Sequence, residues 1–564
     1  MLIFFTLLNS FELVSQPIFQ WAQQFGGPTS GYATGYSVVT DINDNVYTTG
    51  YFSGTVDFDP GTGIYDLTSA GLDDIFVSKL DANGNFIWAK RIGNLSYDEG
   101  RSIKIGNNGI YLSGYFYNTI DFDPGVGVFN LNNFGGYDIF ILKLDFNGDF
   151  IWAKNIGGAN FDQSYSLCID TVENIYTTGY FCGTVDFDPG VGVFNLVAAI
   201  GDPTIFVCKL DSSGNFIWAK SMGGNDFDLG TSITIDSTGV YTTGYFKTTS
   251  DFDPGINVFN LNSVGDADIF ISKLDLNGNF LWAKSIGGSN YDVGRAICLD
   301  PNGNIYTTGN FRYSVDFDPG VGVFQLNAGG SFSGDDAFIL KLNRNGDFLW
   351  AKAITGNFDE IGFSINTDVS GNVYTAGWFN GTADFDPSSN VYNENTNGIQ
   401  DIFISKLSSN GDFLCVATMG GTGNDGCYAV HTNSNGYIYS TGTFSSTVDF
   451  NPAPTAAFNL TSTGYNAIFV TKSMGSCLGT GLNDYDASDK KINIYPNPVK
   501  NILNLNIIGY DFSNSELEIL NCLGQQVFKT NFKSEVDIAQ FNKGVYLLRV
   551  KSDLNYFTCK FIKE

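Results

Sequence analysis

The residues whose type and spacing could do chemistry are aspartates two positions apart. Asp-Phe-Asp-Pro begins at Asp57, Asp121, Asp186, Asp251, Asp316 and Asp384, so the partners are Asp59, Asp123, Asp188, Asp253, Asp318 and Asp386. In extended backbone, residues i and i+2 point the same way, and the two carboxylates of each pair can converge. Such a pair could share a hard cation such as Ca²⁺, with backbone carbonyls and water as further ligands. The competing reading is a turn, in which one aspartate caps Asp-Pro-Gly and the other pairs with a lysine. A second acidic position, at Asp98, Asp162, Asp228, Asp292, Asp359 and Asp425, precedes a short strand and is expected to bond neighbouring backbone. The segment Asp145-Phe146-Asn147-Gly148-Asp149 alternates oxygen-bearing side chains in the manner of a calcium loop. Its glycine falls at the wrong place, and copies such as Asp211-Ser212-Ser213-Gly214-Asn215 lose oxygens, which points to a hairpin turn.

Other chemistries are poorly supplied. His431 is the single histidine, at a strand position occupied elsewhere by Val39, Lys104, Cys168, Thr234, Cys298 and Asn366. That tolerance argues against Ser-His-Asp or Cys-His catalysis and against histidine-rich metal sites. The nine cysteines form no Cys-x-x-Cys, and several fill repeat positions held elsewhere by ordinary residues. They are expected to act as small buried hydrophobes. The net charge is -29. Residues 490–564 hold ten Lys/Arg and seven Asp/Glu, or +3, which leaves -32 on the rest. So acidic a body repels phosphate backbones and argues against nucleic-acid binding.

The paired aspartates belong to a repeat. The six motif starts and a degenerate seventh, Asp449-Phe450-Asn451-Pro452, are spaced by 64, 65, 65, 65, 68 and 65 residues. A second marker counts the same way: Trp-Ala-Lys has its tryptophan at 88, 152, 218, 282 and 350, Trp21 opens a Trp-Ala-Gln variant, and Cys415 takes the seventh place. Within residues 100–157, strands are predicted at Ser102–Ile105, Ile110–Phe116, Asp138–Leu144 and Phe150–Ile156, with a long connection through Asp-Phe-Asp-Pro. No 3.6-residue period appears. Four strands repeated seven times predict an all-β, seven-bladed β-propeller. The array starts on a fourth strand, Ile18–Ala22, and ends on a third, Ala467–Lys472, so the N-terminal strand is expected to complete the last blade.

Gly-Asn-Ile-Tyr-Thr-Thr-Gly at 303–309, with strands of the Asp-Ile-Phe-Ile-Ser-Lys-Leu and Trp-Ala-Lys types, resembles the bacterial β-propeller repeat family of secreted proteins. The resemblance covers residues 18–475 and implies a propeller fold without one set activity. Residues 476–490 read as a polar linker. Residues 491–564 form a different module with strand-like runs at Ile502–Ile508, Leu517–Leu520, Gln526–Lys529, Gly544–Val550 and Phe557–Ile562, a small β-sandwich. Tyr495-Pro496-Asn497-Pro498, the stretch containing Gly544 and Tyr546, and a basic end at Lys560 and Lys563 resemble the type A sorting domain of the type IX secretion system. That resemblance implies a Gram-negative outer-membrane route and recognition of the tail by the secretion machinery. The product is then released or held at the cell surface.

Residues 1–15 resemble a signal peptide: Met1–Leu8 is apolar, but no Lys or Arg occurs before Lys79. Residues 16–475 are expected to be the propeller, with no transmembrane segment, and a monomer is expected. Two functions stay open. One is an extracellular binding or structural module for a glycan or surface protein, the blades being near-equivalent. The other is a carbohydrate-active enzyme with an acidic site in the channel, which needs two carboxylates at one mouth.

Overall fold

The structure, a computed structural model, describes residues 17–26, 32–199, 201–329, 334–453, 457–462, 464–477, 492–495, 499–507, 515–521, 526–552 and 555–563. The expected leader at residues 1–15 and Pro496, Asn497 and Pro498 lie outside them. The described residues are all β, with no helix, so none is long and apolar enough to cross a membrane. The chain divides into two compact units, one spanning Val14–Leu478 and the other holding Gly479–Glu564.

In the first unit, each repeat forms a four-stranded antiparallel sheet. The first sheet takes Ala33–Thr40, Val46–Phe52, Asp74–Leu80 and Phe86–Ile92 in that order. The second takes Glu99–Ile105, Ile110–Phe116, Asp138–Leu144 and Phe150–Gly158. The last takes Gly426–Thr432, Tyr437–Phe444 and Ala467–Cys477, and its fourth strand is Pro17–Phe25 from the N-terminus. The two middle strands are buried at every position in the second sheet. Ile, Tyr, Phe and Leu on both faces therefore pack against neighbouring sheets. The hydrophobic clusters accordingly bridge consecutive repeats. One joins Val77 and Ile75 to Leu112 and Phe140. Another joins Phe25, Ile468 and Val470 of the last sheet to Ala33, Phe52 and Phe76 of the first. First strands lie against first strands from sheet to sheet, and Gly426–Thr432 lies against Ala33–Thr40.

The Trp-Ala-Lys marker is a latch between sheets. Trp88 Nε1 and Lys79 Nζ both donate to the Phe146 carbonyl in the next sheet, at 3.2 and 3.1 Å. Trp218 and Lys209 do the same to Leu276 O, and Trp350 and Lys341 to Ser409 O. Trp21 and Lys472 repeat it on Ala82 O, at 3.2 and 3.1 Å, joining the last sheet to the first. The same lysines sit over a tyrosine of the second strand, as Lys79 over Tyr47 at 4.9 Å.

Two expectations need correction here. The long connection through Asp-Phe-Asp-Pro is itself a small hairpin, with Thr55–Asp57 paired to Asp66–Thr68 and Ile120–Asp121 to Asn130–Leu131. Elsewhere it reaches the previous sheet, Val185 and Asp186 pairing with Gly158 and Gly157. Cys415 is not a plain buried hydrophobe, because it is disulfide-bonded. Cys168, Cys182, Cys208 and Cys427 are free and buried, as read.

The second unit has two sheets among its described residues. Ile492–Tyr495, Ile502–Ile507 and Glu535–Asp537 form one, and Gln526–Asn531, Glu516–Asn521, Gly544–Ser552 and Asn555–Lys563 form the other. Leu503 and Val536 of the first share a core with Leu517, Leu548 and Phe561 of the second, and Val499, bridged to Lys563, joins it. Glu535–Asp537 is a strand that sequence patterning did not mark.

Candidate functional site

Each first strand carries a bulge at the same place. In the second sheet the register shifts between Gly100 and Ser102, so Arg101 is an extra residue opposite Gly114. Gly114 must be glycine, since a Cβ there would lie 1.9 Å from Glu99 O. This explains the glycine that closes each Tyr-Thr-Thr-Gly strand. The bulged residues of the seven repeats are Tyr36, Arg101, Tyr165, Thr231, Arg295, Phe363 and Tyr428.

Six of these side chains touch in one continuous chain. Arg101 lies over Tyr165 at 5.5 Å and over Tyr36 at 4.2 Å. Tyr36 meets Tyr428 at 5.7 Å, Tyr428 meets Phe363 edge-on at 5.0 Å, and Arg295 lies over Phe363 at 4.6 Å. Thr231, the seventh, donates to Gly294 O at 2.7 Å beside Arg295. Every link joins neighbouring repeats, and the Tyr36–Tyr428 contact joins the first to the seventh. Second-strand residues back the cluster: Tyr51 against Tyr36, Tyr115 accepting from Arg101 at 3.2 Å, and Trp378 against Phe363.

The two guanidiniums differ in company. Burial alone would lower the Arg101 pKa, but the Glu99 carboxylate at 2.7 Å and nearby phenols hold it above the ordinary value. Its side chain stays 23% exposed. Arg295 is pushed down by burial. Its Nε donates to Asn310 Oδ1 at 2.9 Å, and no ion pair to it occurs among the described residues. Asp335, whose charge reaches it, is held by Arg312. Rings, phenol hydroxyls, amides and cations together can stack on an apolar face and donate to oxygen.

This cluster went unmarked in the sequence, although a signal existed. Each bulged residue stands between two small ones, as in Gly35-Tyr36-Ser37, Gly100-Arg101-Ser102 and Cys427-Tyr428-Ala429. Its size and chemistry vary among the repeats while its flanks stay small.

The paired aspartates cap backbone. Asp57 Oδ1 accepts from Asp59 N at 3.0 Å and Tyr65 N at 2.8 Å, and Asp59 Oδ1 from Gly61 N at 2.8 Å. Asp121 and Asp123 do the same for Asp123 N, Phe129 N and Gly125 N. The pattern recurs at Asp186 and Asp188, Asp251 and Asp253, Asp316 and Asp318, and Asp384 and Asp386. Asn451 serves equally in the seventh copy, accepting from Ala453 N at 3.0 Å. The second aspartate thus caps the Pro-Gly turn rather than pairing with a lysine. Among the described residues no three His, Cys, Asp or Glu side chains group as a metal site would. In the Asn-Gly turn, Asp145 Oδ1 caps Asn147 N and Asp149 N.

The second acidic position joins sheets. Asp162 is fully buried and accepts from Gly158 N at 2.7 Å and Cys182 N at 3.0 Å. Asp98, Asp228, Asp292 and Asp425 repeat this. In the sixth repeat the register places Glu360, not Asp359, here, since Glu360 N bonds Asp335 O as Asp162 N bonds Tyr137 O. Facing it across five of the six junctions is an aspartate at the start of the preceding third strand, Asp74, Asp138, Asp268, Asp336 or Asp401, each at most 1% exposed, and Thr204 holds that place before Asp228. Burial, then the opposing Asp138, pushes Asp162 up to about 8, and burial pushes Asp138 up to about 7. Among the described residues Asp138 Oδ1 has no hydrogen-bond partner within bonding geometry. His431 meets Thr40 Oγ1 at 3.1 Å between the last and first sheets, and burial lowers its pKa to about 4.

In the C-terminal unit, Gly544 opens the strand Gly544–Ser552. Tyr546 stacks on Phe561 at 5.5 Å and donates to Asn542 O at 2.9 Å. Lys563 is buried, and Tyr495 and Lys560 lie within strands.

Comparison with known proteins decides the broad class. Residues 493–564 match the family described as a secretion system C-terminal sorting domain. Residues 20–51 and 281–310 match the family described as a beta-propeller repeat. The chain is a secreted β-propeller repeat protein. Its sorting domain indicates secretion or a cell-surface location and implies engagement with the type IX secretion machinery. An uncharacterized WD repeat-containing protein of Acanthamoeba polyphaga mimivirus is 29% identical over 353 residues, 52% of this chain and 25% of that protein. Regulatory protein FlaEY of Caulobacter vibrioides is 28% identical over 127 residues, 22% of this chain and 13% of that protein. The repeat protein thus spans a quarter or less of these relatives. Among solved structures, Sqt1 from Chaetomium thermophilum is similar at a TM-score of 0.34 and 10% identity, covering 81% of this chain and 99% of that one. The extracellular domain of a putative hybrid two component system from B. thetaiotaomicron is similar at 0.16 and 11%, covering 99% and 98%. At those scores neither likeness bears on fold or function.

Proposed function

We propose that the seven sheets are the blades of one closed propeller and that this propeller is an extracellular binding module. Its ligand, a glycan or a surface protein, meets the bulged residues where the first strands converge. The C-terminal unit, a small sandwich in this reading, carries the folded cargo to the export machinery. The observation that supports this best is the contact chain from Tyr165 through Arg101, Tyr36, Tyr428 and Phe363 to Arg295. Seven otherwise alike repeats put seven chosen side chains there, and they break the sevenfold symmetry, as recognition of one ligand requires. Enzymatic glycan cleavage draws no support from this row, which contains no carboxylate, while the adjacent Glu99 is tied to Arg101. The Asp-Phe-Asp-Pro loops act as turn caps in this reading.

A glycan-array and surface-extract screen with the purified secreted protein tests the function. Ligand retention is expected to fall at least about tenfold in Tyr428→Ala, a loss in line with a buried aromatic anchor. The exposed loop change Val126→Ser should leave it unaltered. Equal retention by Tyr428→Ala and the parent would remove the binding role from this cluster.

A further inference from the structure

We propose that the bulge-residue cluster takes a sugar carrying a carboxylate, a uronate unit of a glycan. This rests on the binding reading above and names the ligand class. A sugar offers an apolar C–H face and a rim of hydroxyls. Tyr36, Tyr165, Phe363 and Tyr428 offer ring faces for the first, and the phenol hydroxyls of the three tyrosines suit the second.

A neutral sugar would need nothing more, yet two of the seven bulge positions hold arginine. Both guanidiniums are stacked on rings, Arg101 on Tyr36 at 4.2 Å and Arg295 on Phe363 at 4.6 Å. Stacking fixes the plane of the donor fork and leaves its edge for a carboxylate, which it can grip with two parallel bonds. Arg101 is already compensated by Glu99. Arg295 is not: its one hydrogen bond among the described residues goes from Nε to a neutral amide, and Asp335 is spent on Arg312. A half-buried cation without a counter-ion among the described residues is unfavourable, and an incoming carboxylate would relieve that cost. The surrounding charge narrows the ligand. A body at -32 repels densely charged polyanions over long range. A sugar chain with isolated carboxylates avoids that repulsion and still reaches Arg295.

Calorimetric titration of the full secreted chain with a neutral trisaccharide carrying a single glucuronate, and with the methyl ester of that sugar, separates charge from sugar. The acid is expected to bind at least about tenfold more tightly than the ester, and higher salt should narrow the gap. In Arg295→Gln, with an unchanged melting temperature, the two probes should bind alike. The acid-to-ester ratio on the unaltered chain decides the matter even if that variant fails to fold. Equal binding of acid and ester would overturn the carboxylate assignment while leaving a glycan-binding module. Binding of neither would overturn the uronate class, and the array with Tyr428→Ala then judges the wider binding role separately.

Discussion

Asp138 and Asp162 face each other across a sheet junction with no water access, and the pair sets the direction of a pH effect. Both carboxyls have folded pKa values raised above the unfolded value near 4, to about 7 and about 8. A group shifted this way adds stability that is complete below its unfolded pKa and is lost as pH rises through the folded one. Asp98, raised to about 7, and Asp292 and Asp401, raised to about 6, act in the same window. Aspartates such as Asp81 and Asp211 work the other way. Burial raises them, but several amide caps together outweigh it and lower them, so their contribution is lost only in acid. The melting temperature should therefore fall by several degrees from pH 5 to pH 8.5, as followed by circular dichroism. Asp138→Asn should flatten part of that slope. The carboxamide keeps an acceptor for Phe134 N and cannot ionise. A melting temperature that climbs over this interval would refute the buried-acid account.

The hairpin built on Asp-Phe-Asp-Pro shows what a motif contributes to an element. Asp121 Oδ1 closes the hairpin by accepting from both Asp123 N and Phe129 N, whereas Asp123 caps only Gly125 N. Asn451 already fills the second role in the seventh repeat. Asp123→Asn should thus change stability by less than about 0.5 kcal/mol, and Asp121→Ala should cost about 1–2 kcal/mol, as loss of a cap does. Denaturant unfolding measures both, and a parallel melt in EDTA should not move. A drop of several degrees in EDTA would show instead that these pairs hold a cation. The four long strands of each repeat were legible in the sequence because apolar runs such as Ile110–Phe116 and Asp138–Leu144 end at turn residues. The two-residue pairing of Ile120–Asp121 with Asn130–Leu131 was not, since so short a ladder leaves no period in a Gly- and Pro-rich segment. The bulges were hidden for a related reason. One extra residue between Gly100 and Ser102 leaves local alternation almost intact while turning Arg101 toward the other repeats. The choice of Glu360 over Asp359 likewise depends on a backbone bond to Asp335 that no spacing reveals.

At the scale of the whole molecule, closure of the ring depends on how the array ends. Sheets one, three and five latch onto their successors through a tryptophan and a lysine on adjacent strands of one repeat. The last sheet makes the same latch with Trp21 and Lys472, from opposite ends of the array. Tyr36 against Tyr428 and Thr40 against His431 join the same two sheets. The near-identical junction matches the offset of one strand read in the sequence, and the proposed binding role of the bulge-residue cluster is conditional on closure. Ala22 and Thr471 are direct register partners in the strand pair that completes the last sheet, within the span a disulfide bridges. The most direct test is therefore the A22C and T471C double variant, mildly oxidised and mapped by peptide mass spectrometry. A closed propeller predicts a bond between positions 22 and 471 within a monomer, with a higher melting temperature. No such bond, or one formed only between chains, would contradict closure and the binding site built on it.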